Sequence, residues 1–207
     1  ANFGVGVMLG MEEVVTADGN LLAEVDYVSS ISGGGFAAAV WLASRHDHDP
    51  GAGPYKLAPV VMQGQAYRHA LVGGYTEKVF STGCALHRSS RNRGHSLEKL
   101  LDERPLGSAV RGSSLTMGDI WHRAGAPVSP SGMLPYWVPN GAIAENGALF
   151  PFAPNVIASA RIDSYVHGCK DEVLSDPYDL PLAVGMKASA SFPGGVPGTV
   201  LHSSLIP

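Results

Sequence analysis

Cysteine is scarce in this chain: Cys84 and Cys169 are its only two. They are too few for a disulfide framework and lack the paired spacing of a zinc site, so both read as buried or free thiols. Long hydrophobic runs are missing as well, and no stretch approaches the roughly 20 apolar residues that cross a bilayer. Charge is sparse, at 15% of residues, and the net charge of −4 gives no strongly basic face of the kind a general nucleic-acid binder carries. The chain has no G-x-G-x-x-G fingerprint, no lysine placed after a glycine cluster as a P-loop requires, and no internal repeat. Its first fifteen residues have no basic start and are interrupted by Glu12-Glu13. They read as a mature helix rather than a targeting peptide, which leaves localisation open.

What is present suits one enzyme-like domain. With 207 residues and 45% hydrophobic content, a single core spanning 1–207 is the economical reading at about 150 residues per domain. Helical spacing of apolar residues runs from Phe3 to Val15 and is broken by Asp18-Gly19-Asn20. Val25 to Ile31 is rich in β-branched residues and suits a buried strand. Gly34 to Ser44 follows as a helix whose alanines allow close packing on a sheet. Leu134 to Ile143 and Ala148 to Phe152 flank Glu145-Asn146-Gly147, and an Asn-Gly turn between apolar strands predicts a hairpin. Ile162 to Val166 reads as a strand, and Asp179 suits the N-cap of a helix over Leu180 to Ser191, stopped by Pro193 and Gly194. Strand-to-helix alternation predicts an α/β fold with a largely parallel, covered sheet.

The segment Val25-Asp26-Tyr27-Val28-Ser29-Ser30-Ile31-Ser32-Gly33-Gly34-Gly35-Phe36 reads as a strand turning abruptly into a helix around one serine. A serine hydroxyl becomes a useful nucleophile when it is held clear of its own backbone with amide N–H groups aimed at the developing oxyanion. A strand-turn-helix elbow supplies that geometry, and it needs small residues two positions before and after the serine. Ser30 and Gly34 occupy those places around Ser32, and Gly33 brings its N–H beside the hydroxyl. Ser30 replaces the first glycine of the usual G-x-S-x-G. The same strand, glycine cluster and helix would also make an anion-cradling loop or a plain tight turn, and the local pattern does not choose among them.

Four stretches in order carry a family resemblance. Phe3-Gly4-Val5-Gly6-Val7-Met8 resembles the start of the helix after a glycine-rich oxyanion loop. Leu21 to Gly34 is similar to a nucleophile strand and elbow. Leu134-Pro135-Tyr136-Trp137-Val138-Pro139-Asn140-Gly141 resembles a middle core strand, and Met186 to Pro197 is similar to a late helix ending in a Phe-Pro turn. Together they resemble the core of the patatin-like phospholipases, serine acyl hydrolases that work through a Ser-Asp dyad. The resemblance implies a three-layer α/β/α fold with a mostly parallel central sheet. It also implies a lipid ester substrate, no cofactor or metal, Ser32 as nucleophile and the Gly33 N–H as an oxyanion donor. An acyltransferase, a cytosolic phospholipase A2-like lipase, or an inactive lipid-binding relative on the same fold stands beside that reading. The family's glycine-rich oxyanion loop is expected before Ala1. Its catalytic aspartate, in an Asp-Gly-Gly or Asp-Gly-Ala setting, is expected after the Phe192-Pro193 turn, and no such motif occurs before Pro207. The chain is therefore expected to be a core fragment, inactive alone, and no internal acid is assigned as base. Asp119, Asp163 and Asp179 are the fallback candidates.

Residues 47–114 are less regular than a minimal core needs, with helical pieces at Pro59 to Leu71 and Ser96 to Glu103, and suit a lid or substrate cap as well as an ordinary insertion. Within them His87, Arg88, Arg91, Arg93 and His95 form a basic stretch that would attract a phosphate headgroup or an anionic membrane or micelle surface, although such stretches are more often solvated loop. His46-Asp47-His48-Asp49 has metal-ligand chemistry but no completing residue at helical spacing, so it reads as a polar loop. Gly4-Val5-Gly6 fits close helix packing rather than a cofactor site.

Overall fold

Residues 2–17, 19–46, 48, 50–52, 55–57, 115–121, 127–128, 132–167, 170–191 and 198–205 are described by a computed structural model. Helix α1 (Asn2–Glu13) leads into a two-stranded ribbon, β1 (Val15–Thr16) and β2 (Gly19–Asn20), whose turn uses Gly19 at φ +125°. The predicted first helix thus ends two residues early, where Val14 and Val15 leave the helical register for the ribbon.

Strand β3 (Tyr27–Ser30) and helix α2 (Gly33–His46) are joined by Ile31 and Ser32 alone. After the undescribed stretch come α3 (Met117–Trp121), a ribbon of β4 (Pro127–Val128) and β5 (Gly132–Met133), strand β6 (Tyr136–Ala142), strand β7 (Leu149–Pro151) and α4 (Pro154–Ser159). The chain continues through β8 (Ile162–His167), β9 (Lys170–Val173), α5 (Leu182–Ala190) and β10 (Leu201–Ser203).

These elements give a mixed α/β molecule with several small sheets. β3 and β6 pair in parallel, Tyr27 opposite Tyr136 through Ser30 opposite Pro139, and β7 extends β6 antiparallel through the Asn146-Gly147 turn, with Gly147 at φ +72°. A second sheet, ordered β10-β8-β9, is antiparallel throughout. Among the described strands the parallel arrangement is thus confined to the β3–β6 pair. Parallel pairing needs a long crossover, and here more than 100 residues separate the two strands, whereas the Asn-Gly turn and short β8–β9 link make neighbours antiparallel.

The core collects on one face of the first sheet. Trp137, Pro139 and Gly141 of β6 alternate inward and are buried, while Tyr136, Val138 and Asn140 are half-buried. Helix α5 lies close over the inward face: a Cβ on Gly141 would sit 3.6 Å from the Ala188 carbonyl oxygen, and one on Gly185 within 3.3 Å of Pro139. Helix α2 packs beside α5 and also meets α1, α3 and β3. It buries Gly35, Ala37, Ala38, Ala39, Trp41, Leu42, Ala43 and Arg45, so its alanine-rich sequence reflects crowding from several sides.

Asp179 is not the N-cap of the late helix. It closes a 3₁₀ turn (Pro177–Asp179) capped by Asp176, whose carboxylate accepts the Tyr178 N–H, and α5 starts after Pro181 with no side-chain cap. Pro181 is itself the N-cap, its ring fixing φ at −60° while ψ of 138° keeps the chain extended up to the helix. Helix α2 in turn runs to His46, past the predicted Ser44, and the segment read as loop holds a 3₁₀ turn at Pro50–Ala52.

Candidate active site

Ser32 has φ +53°, in the left-handed region. For an L-residue other than glycine that conformation costs about 1–2 kcal/mol, so the surrounding chain must hold it there. Three backbone bonds do so. The Ser32 N–H donates to the Ser189 carbonyl oxygen (3.0 Å) and also lies 3.1 Å from the Ser189 hydroxyl oxygen. On the other side the Gly34 N–H donates to the Ile31 carbonyl (3.0 Å) and the Gly35 N–H to the Ser32 carbonyl (2.9 Å). The chain therefore reverses within two residues, from extended strand to the first turn of α2.

This turn leaves Ser32 exposed, and among the described residues its hydroxyl has no hydrogen-bond partner. Gly33 is the first residue of α2. Its N–H belongs to the set that finds no acceptor inside a helix, at the positive end of the helix dipole. A free hydroxyl and a free amide are thus adjacent at the carboxyl end of a strand that pairs in parallel, the edge where α/β sheets bind ligands.

The small residues around Ser32 have separate tasks. A Cβ on Gly34 would sit 3.8 Å from the Ser30 Cβ, so positions 30 and 34 face each other across the turn at ordinary contact distance. A Cβ on Gly35 would sit 3.6 Å from the Ser30 hydroxyl oxygen and 3.8 Å from that of Ser189. Ser30 does more than keep the turn slim. Its hydroxyl accepts the indole N–H of Trp137 (2.9 Å), and Trp137 is completely buried. A buried indole needs an acceptor, which accounts for serine where the usual motif has glycine.

Two further residues brace the strand that delivers Ser32. The Asn140 side-chain amide donates to the Ser29 hydroxyl (2.9 Å) and approaches the carbonyls of Ser30 (3.2 Å) and Val138 (3.0 Å), tying β6 to the end of β3. Trp121 donates its indole N–H to the Trp137 carbonyl (2.9 Å) and packs edge-on against Tyr136, which stacks on Tyr27. Ser189, Trp137 and Asn140 escaped sequence reasoning as site residues. They lie more than 100 positions from the elbow, and the one available signal was that each falls in a stretch resembling a core element.

None of the three fallback acids is set against Ser32. The Asp119 carboxylate accepts the Thr116 N–H (2.7 Å) and hydroxyl (2.9 Å) while Thr116 accepts the Asp119 N–H (3.3 Å), a reciprocal cap on α3. Asp163 stands on β8 in the second sheet, where its carboxylate meets the neighbouring Ser164 hydroxyl at 3.3 Å. Asp179 precedes α5, whereas Ser189 near its far end touches Ser32; eight residues of rise separate these ends by about 12 Å.

A second polar cluster closes the other end of α2. The Ser44 and Tyr55 hydroxyls are 2.7 Å apart, Glu12 accepts the Leu57 N–H (2.6 Å), and the buried Arg45 guanidinium lies 5.8 Å from the Trp41 ring centre. Burial lowers the Arg45 pKa and raises that of the Tyr55 phenol, which therefore stays protonated. These groups tie α1 and the chain after α2 to the helix.

His48 packs edge-on against Tyr55 at 5.5 Å between ring centres, while Asp47 and Asp49 lie outside the described residues. No group of three or more His, Cys, Asp or Glu gathers as a metal site among the described residues. The basic stretch from His87 to His95, both predicted helices of the 47–114 segment, Cys84, Cys169 and the Phe192-Pro193 turn also lie outside them. Comparison with protein-family models, curated proteins and solved structures returns no match to this chain.

Proposed function

We propose that this chain carries the nucleophile of a lipid acyl hydrolase, a serine enzyme that cleaves fatty-acyl esters of phospholipids or lysophospholipids on a patatin-like, three-layer α/β/α core. The observation that carries the reading is Ser32 at φ +53° between β3 and α2, with its hydroxyl exposed and the Gly33 N–H beside it. Left-handed serines are uncommon, and strain of this kind concentrates where a side chain must be presented to a reacting partner. The exposed Ile31 side chain next to Ser32 favours an apolar acyl group over a polar one.

In the proposed reaction the Ser32 oxygen attacks the ester carbonyl carbon as its proton passes to a carboxylate base, and the carbonyl π electrons move onto oxygen, where the Gly33 N–H helps hold the charge. Collapse expels the lipid alcohol, which takes up that proton, and leaves an acyl-serine. Water, deprotonated by the same base, then releases the fatty acid. The base is the aspartate implied by the resemblance, outside the described residues. No described helix is long and apolar enough to cross a membrane, and substrate is met at a membrane or micelle surface.

A fluorophosphonate probe on the complete protein, catalytic aspartate included, tests the reading. Its phosphorus should bond to the Ser32 oxygen with loss of fluoride, mapped by mass spectrometry to the peptide containing Ser32, and Ser32→Ala should abolish both labelling and fatty-acid release. Labelling of another serine, or turnover undiminished in Ser32→Ala, would overturn it. Transfer of the acyl group to an added alcohol in preference to water would instead identify an acyltransferase.

A further inference from the structure

Ser189 meets Ser32 at a point the proposed reaction does not use. It is the next-to-last residue of α5, 6% exposed, and both its carbonyl and hydroxyl oxygens lie within hydrogen-bond reach of the Ser32 N–H. A carbonyl at a helix C-terminus lacks an intrahelical donor and suits such a bond. The hydroxyl is a second acceptor on the same hydrogen, and nothing in helix geometry calls for it. A Cβ on Gly35 would sit 3.6 Å from the Ser30 hydroxyl oxygen and 3.8 Å from that of Ser189, ordinary contact distances, so the first turn of α2 lies directly against Ser189.

We infer that Ser189 is the positioning residue of the Ser32 turn: its hydroxyl, together with its carbonyl, clamps the Ser32 amide and keeps that residue in the left-handed conformation from which its own hydroxyl projects. This inference rests on the acyl-hydrolase reading for its catalytic consequence, though the clamp itself does not. Two corollaries follow. The Ser32 N–H is engaged by Ser189, so within this turn only the Gly33 N–H is left for an oxyanion. Helix α5 also becomes a lever on the nucleophile, since the residue that holds the Ser32 amide stands in its last turn.

The clamp is tested with Ser189→Ala, which keeps the carbonyl bond and deletes the hydroxyl, and Ser189→Thr, which restores a hydroxyl. The first readout needs no activity. Amide exchange at Ser32, followed by NMR, should quicken at least tenfold in Ser189→Ala relative to neighbouring α2 amides and return toward wild type in Ser189→Thr. The second is fluorophosphonate labelling of Ser32 in the complete protein, catalytic aspartate included. Its maximal rate should fall about tenfold in Ser189→Ala while the probe concentration giving half that rate stays unchanged, and threonine should recover most of the loss. A packing defect would weaken both parameters and would not be rescued by the bulkier threonine. Unchanged Ser32 exchange in Ser189→Ala overturns the clamp, as does wild-type labelling speed in that variant. If wild-type Ser32 resists the probe while exchange still responds to Ser189→Ala, the clamp stands and the hydrolase reading falls.

Discussion

Two residues other than glycine, Ser32 and Arg161, share the left-handed backbone region among the described residues, at φ +53° and +47°. Arg161 follows α4 and its cap residue Ala160, where a helix commonly leaves through one left-handed residue. Its N–H bonds back to the Ala158 carbonyl (3.0 Å), and its own carbonyl accepts the Ser204 N–H (3.1 Å). Ser32 is left-handed at a helix entrance, where capping residues normally take an extended conformation. Its amide is held by a residue 157 positions away. The Arg161 amide is held within its own turn, by the Ala158 carbonyl, whereas the Ser32 amide is held by tertiary structure, in a turn that leaves a hydroxyl exposed. The same dihedral angle therefore carries functional meaning only when its location and the origin of its support are considered.

Replacing each residue by glycine separates the two most sharply. Glycine accepts the left-handed region without strain, so both turns should persist. Ser32→Gly should nevertheless lose fluorophosphonate labelling and fatty-acid release by at least about 1,000-fold, the scale for deleting a nucleophile. Arg161→Gly should keep both at wild-type rates. Equal loss in the two variants would mean that the comparison reflects backbone integrity rather than chemistry.

A smaller effect separates the supports. Ser30→Gly restores the usual elbow motif but removes the acceptor of the buried Trp137 indole. An unsatisfied buried donor costs about 1–3 kcal/mol, so urea unfolding should shift by that amount. Adding Trp137→Phe, which removes the orphaned donor, should make the pair less destabilised than the sum of the single variants. Near Arg161 the corresponding side-chain contact is the exposed, 3.4 Å approach of the Ser204 hydroxyl, and Ser204→Ala should change stability by under about 0.5 kcal/mol. A null result for Ser30→Gly would leave the missing glycine of the motif unexplained.

The elements around Ser32 were legible because their cues are local. The β-branched run before the serine, the alanines after it and the Asn146-Gly147 turn each specify backbone conformation within a few residues, and β3, α2 and the β6–β7 hairpin appear where those cues lie. Boundaries slipped where tertiary packing or proline decided them: β3 is narrower than Val25 to Ile31, and α5 begins only after Pro181. The antiparallel β10-β8-β9 sheet was legible only in β8. Strand β9 is polar, and β10 pairs with β8 across 33 intervening residues, so neither carries a local signature. At the site, Ser32, Gly33, Ser30 and Gly34 are contiguous and could be read together. Trp137, Asn140 and Ser189 meet them only after the chain has returned twice to the same place, and a side chain's long-range acceptor leaves no trace in its own sequence neighbourhood.

The smallest expected difference is in stability between the two glycine variants. At each site glycine relieves about 1–2 kcal/mol of left-handed strain, opposed by about 0.5–1 kcal/mol from the freer unfolded chain. The Ser32 hydroxyl has no hydrogen-bond partner among the described residues and Arg161 is exposed, so losing either side chain should remove little native contact energy. Both variants should therefore be stabilised by up to about 1 kcal/mol and differ from each other by less than about 0.5 kcal/mol in urea unfolding. That near-equality is the informative result, because Ser32→Gly would then be inactive yet at least as stable as wild type, the trade expected of a residue kept for its chemistry. Destabilisation of Ser32→Gly by more than about 1 kcal/mol, with Arg161→Gly stabilised as expected, would mean that the Ser32 side chain has a structural partner and that its left-handed turn serves packing instead.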